Sequence, residues 1–362
     1  MKGVNNTIDW DVILSTIREE KCVLFLGPEL YAAGDEELDA RLASYLNVKT
    51  DPDIRKYEDG LFFFRDPKKR TLVYYKIKDF YAQPLPETAA LFEKIAQIPF
   101  ALILTLTPDK LLWEKHRDLN IRAKEGFYWK KQAIATDLPA PAKSSPVIYN
   151  ILGSTEQLES MVLTHNDLFD YFESIFQGNS LPEKLRHFLK EANNYIFLGI
   201  AFEKWYMQLL LRILYLHTNE NLLKFASNLD INQSTQTFYH EQFQISFVPA
   251  NIRQFVDELY QRAEAKGLLR SAGKESPVLD TIIDIIGKDE MEKAFELFAE
   301  FLRDKGTEGL EFEKELTLLE SRHARLERKV RMNVISFNES EVEANRIRES
   351  LMDLLLQAKS LE

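Results

Sequence analysis

Cysteine is nearly absent from this chain: Cys22 is the only one in 362 residues. An internal disulfide and a cysteine-cluster zinc site are therefore both excluded. Cys22 falls in an apolar run, where a buried core thiol is the expected state. Long hydrophobic stretches are missing too, and none approaches the ~18 apolar residues of a membrane-spanning helix. Met1 to Trp10 lacks the basic start and apolar core of an export signal, so a cytoplasmic protein is expected. Basic charge is short, with 46 Lys and Arg against 57 Asp and Glu and a net charge of −11. A nucleic-acid groove as the main surface is not expected, because phosphate neutralisation needs clustered Lys and Arg. Histidine is sparse, at six, and no histidine–carboxylate spacing suggests a metal site. Proline stops at Pro277.

What is present suits a folded protein. Hydrophobic residues make up 45% of the chain, enough for a proper core, and the length fits one large domain and a smaller one. The segment Cys22-Val23-Leu24-Phe25-Leu26-Gly27-Pro28-Glu29-Leu30 carries the most information. An apolar strand, a turn at Gly27 and helical spacing from Asp35 to Leu46 form the opening unit of a nucleotide-binding α/β fold. In such folds the turn is glycine-rich, so that its backbone can approach a pyrophosphate at a helix N-terminus. Here only Gly27 remains. Pro28 has no N–H to donate, and the Glu29 carboxylate repels phosphate.

Further along, Pro99–Thr105, Val147–Leu152, Tyr195–Ile200 and Gln244–Val248 read as short buried strands. Helices are expected over 8–22, 204–216 and 252–260. Repeated apolar strands with helices between them indicate a parallel sheet covered on both faces. The aromatics of 53–82, divided by the Asp66-Pro67 turn, suit a helical layer beside the sheet better than a ligand pocket. The expected architecture is an α/β domain, a Rossmann-like parallel sheet, over residues 1–265. A Gly/Ser/Lys/Glu-rich linker follows at 266–277, and a small all-α domain occupies 278–362.

Four segments, in order, resemble the sirtuin-like domains of prokaryotic defence and conflict proteins. Val23–Pro28 sits where that family has a strand and a Gly-Ala-Gly turn. Leu104-Thr105-Leu106-Thr107-Pro108-Asp109-Lys110-Leu111-Leu112 is similar to its Thr-Thr-Asn-Tyr-Asp-x-Leu-Leu segment. Ile148-Tyr149-Asn150-Ile151-Leu152-Gly153-Ser154 is similar to its Lys-Leu-His-Gly-Ser segment, with Ser160–Thr164 resembling the strand that follows. Tyr195–Phe202 with Trp205 resembles its Phe-Ile-Gly-Tyr-Ser strand and helix. The resemblance spans about 8–262.

The resemblance implies cleavage of the nicotinamide–ribose bond of NAD by an asparagine and a general-base histidine. Thr107 stands at the asparagine position and Leu152 at the histidine position. Leucine moves no proton, and a threonine hydroxyl is a poor base at neutral pH. General acid–base catalysis is worth ~10²–10⁴ in rate, so a pseudoenzyme is expected. His165 is near the site in sequence, but Thr164-His165-Asn166-Asp167 reads as a helix N-terminal turn. Gly27, Pro28, Glu29, Thr105, Asp109, Gly153, Ser154 and Gly199 are expected to line a vestigial pocket. Glu29 and Asp109 could form a carboxylate pair for metal or proton transfer, although Asp109 also suits the cap of a helix starting near Leu111. No cofactor is expected, with an NAD or ADP-ribose-like ligand as the open alternative.

The C-terminal segment resembles an effector-associated domain, a small helical adaptor fused to bacterial effectors. Ser321-Arg322-His323-Ala324-Arg325-Leu326-Glu327-Arg328, followed by Glu343-Ala344-Asn345-Arg346-Ile347, carries the likeness, which implies pairing with a like domain on another chain. Leu316, Leu319, His323, Leu326 and Val330 form one stripe. Asn338-Glu339-Ser340-Glu341 reads as a capping box before Ile347, Leu351, Leu354 and Leu355. The arginine face (Arg322, Arg325, Arg328, Arg331) and the acidic end (Glu339, Glu341, Glu343) suit head-to-tail association, including a homo-oligomer, or mutual neutralisation within one hairpin. Two functions compete: a non-catalytic scaffold or sensor in an anti-phage system, and an NAD-binding or NAD-cleaving effector activated through the adaptor.

Overall fold

The computed structural model of the protein describes residues 8–31, 36–129, 138–177, 181–214, 216, 222–227, 231–270, 277–287, 290–306, 309–332 and 334–358. They divide into two compact units, Met1–Ala272 and Gly273–Glu362.

In chain order the strands of the first unit are β1 (Cys22–Leu26), β2 (Ile54–Lys56), β3 (Phe62–Phe64), β4 (Leu102–Thr105), β5 (Lys124–Phe127), β6 (Val147–Asn150), β7 (Asn194–Leu198), β8 (Leu223–Ser227) and β9 (Ser246–Val248). Seven of them form one parallel sheet in the order β5-β6-β4-β1-β7-β8-β9. β2 and β3 pair as a separate antiparallel hairpin. The alternation of a strand sends successive side chains to opposite faces. Along β1, Cys22, Leu24 and Leu26 enter one apolar layer, while Val23 and Phe25 enter the other. The first layer is closed by helices Trp10–Arg18, Pro67–Tyr81, Pro86–Gln97 and Ile252–Ala265. The second is closed by His165–Phe176, Glu183–Glu191, Met207–Ile213 and Gln233–Phe243. A parallel sheet buried on both faces is the result, as the apolar runs imply.

Two sheet strands escape the sequence pattern. β5 (Lys-Glu-Gly-Phe) is an edge strand, where charge and glycine discourage further pairing. β8 carries Lys224 at an interior position. Its ammonium is buried and donates to Leu216 O (2.7 Å) and to Phe243 O (2.9 Å), a carbonyl at the end of a helix. Burial lowers its pKa.

Residues 53–65 form the hairpin rather than part of a helical layer; Asp66 then caps the helix Pro67–Tyr81, with Pro67 in its first turn. Ser160–Thr164 is not a sheet strand: Leu158–Ser160 is a short 3₁₀ turn, and Thr164 makes one bridge to Phe62. Of the expected linker, 266–270 packs on the first unit. Leu268 and Leu269 join its core, and the Arg270 N–H donates to Gln97 O. Residues 271–276 lie outside the described residues.

The second unit contains helices Pro277–Gly287, Met291–Asp304, Leu310–Arg331 and Phe337–Ala358 around one apolar core. Leu316, Leu319 and Leu326 are buried, with Ile347, Leu351, Leu354 and Leu355 opposite them. His323 is half-buried against Phe295, but Val330 is exposed, because the stripe leaves the core at the helix end. The capping box lies two residues earlier than the sequence suggests. Ser336 Oγ accepts from Glu339 N–H, and the Glu339 carboxylate accepts from Ser336 N–H and Oγ–H. The residues expected to form the box lie within the helix instead, and the Asn338 side chain is outside the described ones.

Candidate functional site

After β1 the chain runs to β4, β5 and β6 on one side, then crosses to β7 on the other. The switch point therefore lies at the carboxyl ends of β1, β4 and β7, the usual ligand position in an open α/β sheet. The turn after β1 occupies it. Gly27 N–H donates to Leu198 O (2.9 Å), Glu29 N–H to Gly199 O (3.1 Å) and Leu30 N–H to Gly27 O (3.5 Å). Pro28 has no N–H, so each amide from 27 to 30 is absent or turned inward to the protein's own backbone. Among residues 27–30 no N–H is free to cradle a pyrophosphate.

Gly27 is required for a different reason. A Cβ there would lie 2.0 Å from Gly199 O, and Gly199 itself has φ +67°. Tyr31 does not enter a cleft. It is buried edge-on against Tyr81 and Phe92. Burial, reinforced by the Asp109 carboxylate, pushes its phenol pKa up.

The turn after β4 is tied down as firmly. Thr107 N–H donates to Thr105 Oγ1 (3.2 Å), and the two hydroxyls are 3.0 Å apart. Asp109 Oδ1 accepts from Leu111 N–H (2.9 Å), the helix-start role open to it from sequence. Asn150, at the end of β6, donates to Thr107 O (3.2 Å) and Asp109 O (3.0 Å). Gly153 (φ +93°) lets the chain pass Ser160, and Ser154 N–H bonds to Ser160 Oγ (2.9 Å). Of the residues expected to line a pocket, Gly27, Glu29, Thr105, Asp109, Gly153, Ser154 and Gly199 thus shape the loops without lining the cavity described next.

That cavity is about 100 Å³ and is lined by Pro28, Thr107, Leu152, Met161, Gly60 and Leu61, among others. Sequence reasoning placed Pro28, Thr107 and Leu152 at one site, and they do meet here. Its wall is largely aliphatic, and its charged members are Asp39 and Lys204, 2.8 Å apart. Burial alone would depress Lys204, but Tyr206 and Asp39 outweigh it and raise its pKa. Pockets for drug-sized ligands run to about 300–1,000 Å³. This space is small beside such pockets, and Leu152 offers no proton acceptor.

Asp39, Asp59, Asn150 and Lys204 were not anticipated from sequence, since isolated polar residues in separate loops carry no spacing signal. Asp59, at the hairpin tip, binds three neighbours. Its Oδ2 lies 2.8 Å from His165 Nε2 and accepts from Trp205 Nε1 (2.9 Å), while Oδ1 accepts from Leu61 N–H (3.2 Å). Burial would raise this carboxyl, yet the bonds from Trp205, Leu61 and His165 hold it below the usual range. His165 opens a helix whose capping box is Thr164 and Asp167, as its sequence setting suggests. Among the described residues, no group of His, Cys, Asp and Glu is arranged to hold a metal ion.

In the second unit, Arg322, Arg325, Arg328 and Arg331 are exposed, as are Glu339, Glu341 and Glu343. Among the described residues no ion pair joins the two sets. Glu343 pairs with Arg346 on its own helix (3.6 Å), and Glu339 is engaged by Ser336. Arg322, Arg325, Glu339 and Glu343 nevertheless line the same groove, over a floor that includes Leu326 and Ile347.

A parallel α/β unit with a closed, anion-poor switch point, followed by a four-helix unit with a charged groove, defines the class. A family model of the SIR2-like domain matches residues 102–244, and a model of effector-associated domain 11 matches 278–359. The chain carries a SIR2-like domain and a C-terminal effector-associated domain. No curated protein matches it significantly. Among the described residues, no helix is long and apolar enough to cross a membrane.

Proposed function

We propose that the SIR2-like domain acts as a scaffold or sensor that does not cleave NAD, in a bacterial conflict or anti-phage system in the cytoplasm. The pairing of a SIR2-like domain with an effector-associated domain fits such a system. The observation that carries the non-catalytic reading is the cavity at the switch point. It is about 100 Å³, faced by Leu152 and Thr107 where a base and an amide would stand, and bordered by a turn whose amides at 27–30 are absent or used by the protein's own backbone. The effector-associated domain recruits, or is recruited by, proteins bearing a like domain, including further copies of this chain. Its exposed Arg322 and Arg325 and the glutamates of the same groove supply complementary charge for that docking.

Calorimetric titration of the full chain with NAD and with ADP-ribose tests the ligand side. No saturable heat is expected up to about 1 mM ligand, which corresponds to binding weaker than ~4 kcal/mol. Micromolar binding of either compound would overturn the reading. The second reading, an NAD-binding or NAD-cleaving effector activated through the adaptor, draws on the cavity's place at the sheet's switch point. It requires the cavity to open.

A further inference from the structure

The β2–β3 hairpin stands over the cavity; its strands enter the core through Ile54 and Phe62, and its tip is held by polar contacts. Gly60, Leu61 and Phe62 form one side of the cavity wall, facing Pro28, Thr107 and Leu152. The hairpin pairs with no strand of the main sheet and is short, three residues in each strand. A hairpin of this size is marginally stable without support. Its support comes from outside. Asp59 reaches His165 at the head of one helix and the Trp205 indole beyond β7. Gly60 is seated on the Asp39–Lys204 pair, where a Cβ would lie 2.7 Å from both Asp39 Oδ2 and Lys204 Nζ. Phe62 N–H donates to Leu163 O (2.7 Å).

We propose that the hairpin tip, residues 57–62, is a lid closed over the cavity, and that Asp59 is its latch. A single carboxylate ties the tip both to the start of helix His165–Phe176 and to the loop after β7, beside the Phe62 N–H bond to Leu163 O and the seat of Gly60 on Lys204. Removing the side chain by Asp59→Ala takes away the acceptor that holds the tip to both neighbours while leaving the sheet core untouched. The Asp39–Lys204 pair is the second seat, and the left-handed Gly60 (φ +86°) is what lets the tip lie flat on it. The lid is a property of the folded unit and does not depend on which compound, if any, the cavity takes.

The test uses the full chain with Met161→Cys, a wall residue only 1% exposed, as a reporter of access by a small thiol reagent. Cys22, also 1% exposed, serves as the internal background. Asp59→Ala is expected to raise the labelling rate at position 161 about tenfold, and amide exchange over 57–64 by a similar factor, through local opening. Exchange in β1, β4 and β7 should stay unchanged. Gly60→Ala, which strains the left-handed backbone of the tip (φ +86°) and leaves Asp59 in place, should give the same pattern. Unchanged labelling and exchange in both variants would overturn the latch. Exchange that rises equally throughout the sheet would also overturn it, because these residues would then support the fold as a whole.

Discussion

At position 152 a leucine faces the cavity, and at position 107 a threonine is held by its neighbour Thr105 rather than aimed at a ligand. These two residues carry the case against catalysis, and both were legible in sequence because a residue either can or cannot move a proton. Their surroundings were not. That Glu29 N–H is consumed by Gly199 O, or that Tyr31 turns into the core, depends on the separation of β1 and β7 and has no sequence signature. His116 illustrates a residue whose consequence lies in stability. It is fully buried, its Nδ1–H donates to Leu112 O (2.8 Å), and Nε2 has no partner. Burial, with a smaller contribution from the nearby Arg270 charge, lowers its pKa from 6.5 to about 4. Below pH 6.5 the unfolded chain therefore takes a proton that the native state refuses. Stability should fall between about pH 6.5 and pH 4, by up to on the order of 3 kcal/mol from this group. Urea unfolding at pH 7 and pH 5 checks this. His116→Gln should flatten the dependence, and an unaltered slope in that variant would assign the loss to other groups.

Among elements, the strongly apolar strands were legible, and those compromised by charge were not. β8 remained hidden because Lys224 interrupts it, and the structure accommodates that lysine by giving it two backbone carbonyls, one at a helix end. The hairpin was hidden because Phe62-Phe63-Phe64 suits a helix as well as a strand, and only its pairing with Ile54–Lys56 decides. In the second unit the helices were legible throughout, while the cap moved from Asn338 to Ser336. The groove between helices Leu310–Arg331 and Phe337–Ala358 yields a prediction at this scale. Sedimentation of the full chain should show association that weakens between about 50 and 500 mM salt, as screening shortens the reach of exposed charge. Arg325→Glu with Arg328→Glu should abolish that association and leave the helical circular-dichroism signal intact. Association indifferent to both salt and charge reversal would remove the groove from the account.

For the whole molecule, the parallel sheet follows from the repeated apolar strands, and its strand order places the crossover beside the turn after β1. The family matches cover 102–244 and 278–359. The degraded turn at Gly27–Leu30 lies before the first of these, so its meaning rests on hydrogen bonds alone. The sequence likeness alone left open whether the departures from the family pattern are isolated or concerted. The structure brings three of the departing positions, Pro28, Thr107 and Leu152, into one wall. The central claim, that this SIR2-like domain does not cleave NAD, is tested most directly by release of nicotinamide from NAD by the purified full chain, at low and high protein concentration so that any association is sampled. The account predicts no release above the protein-free rate at either concentration. Sustained turnover that is lost in a His165→Ala variant would contradict it.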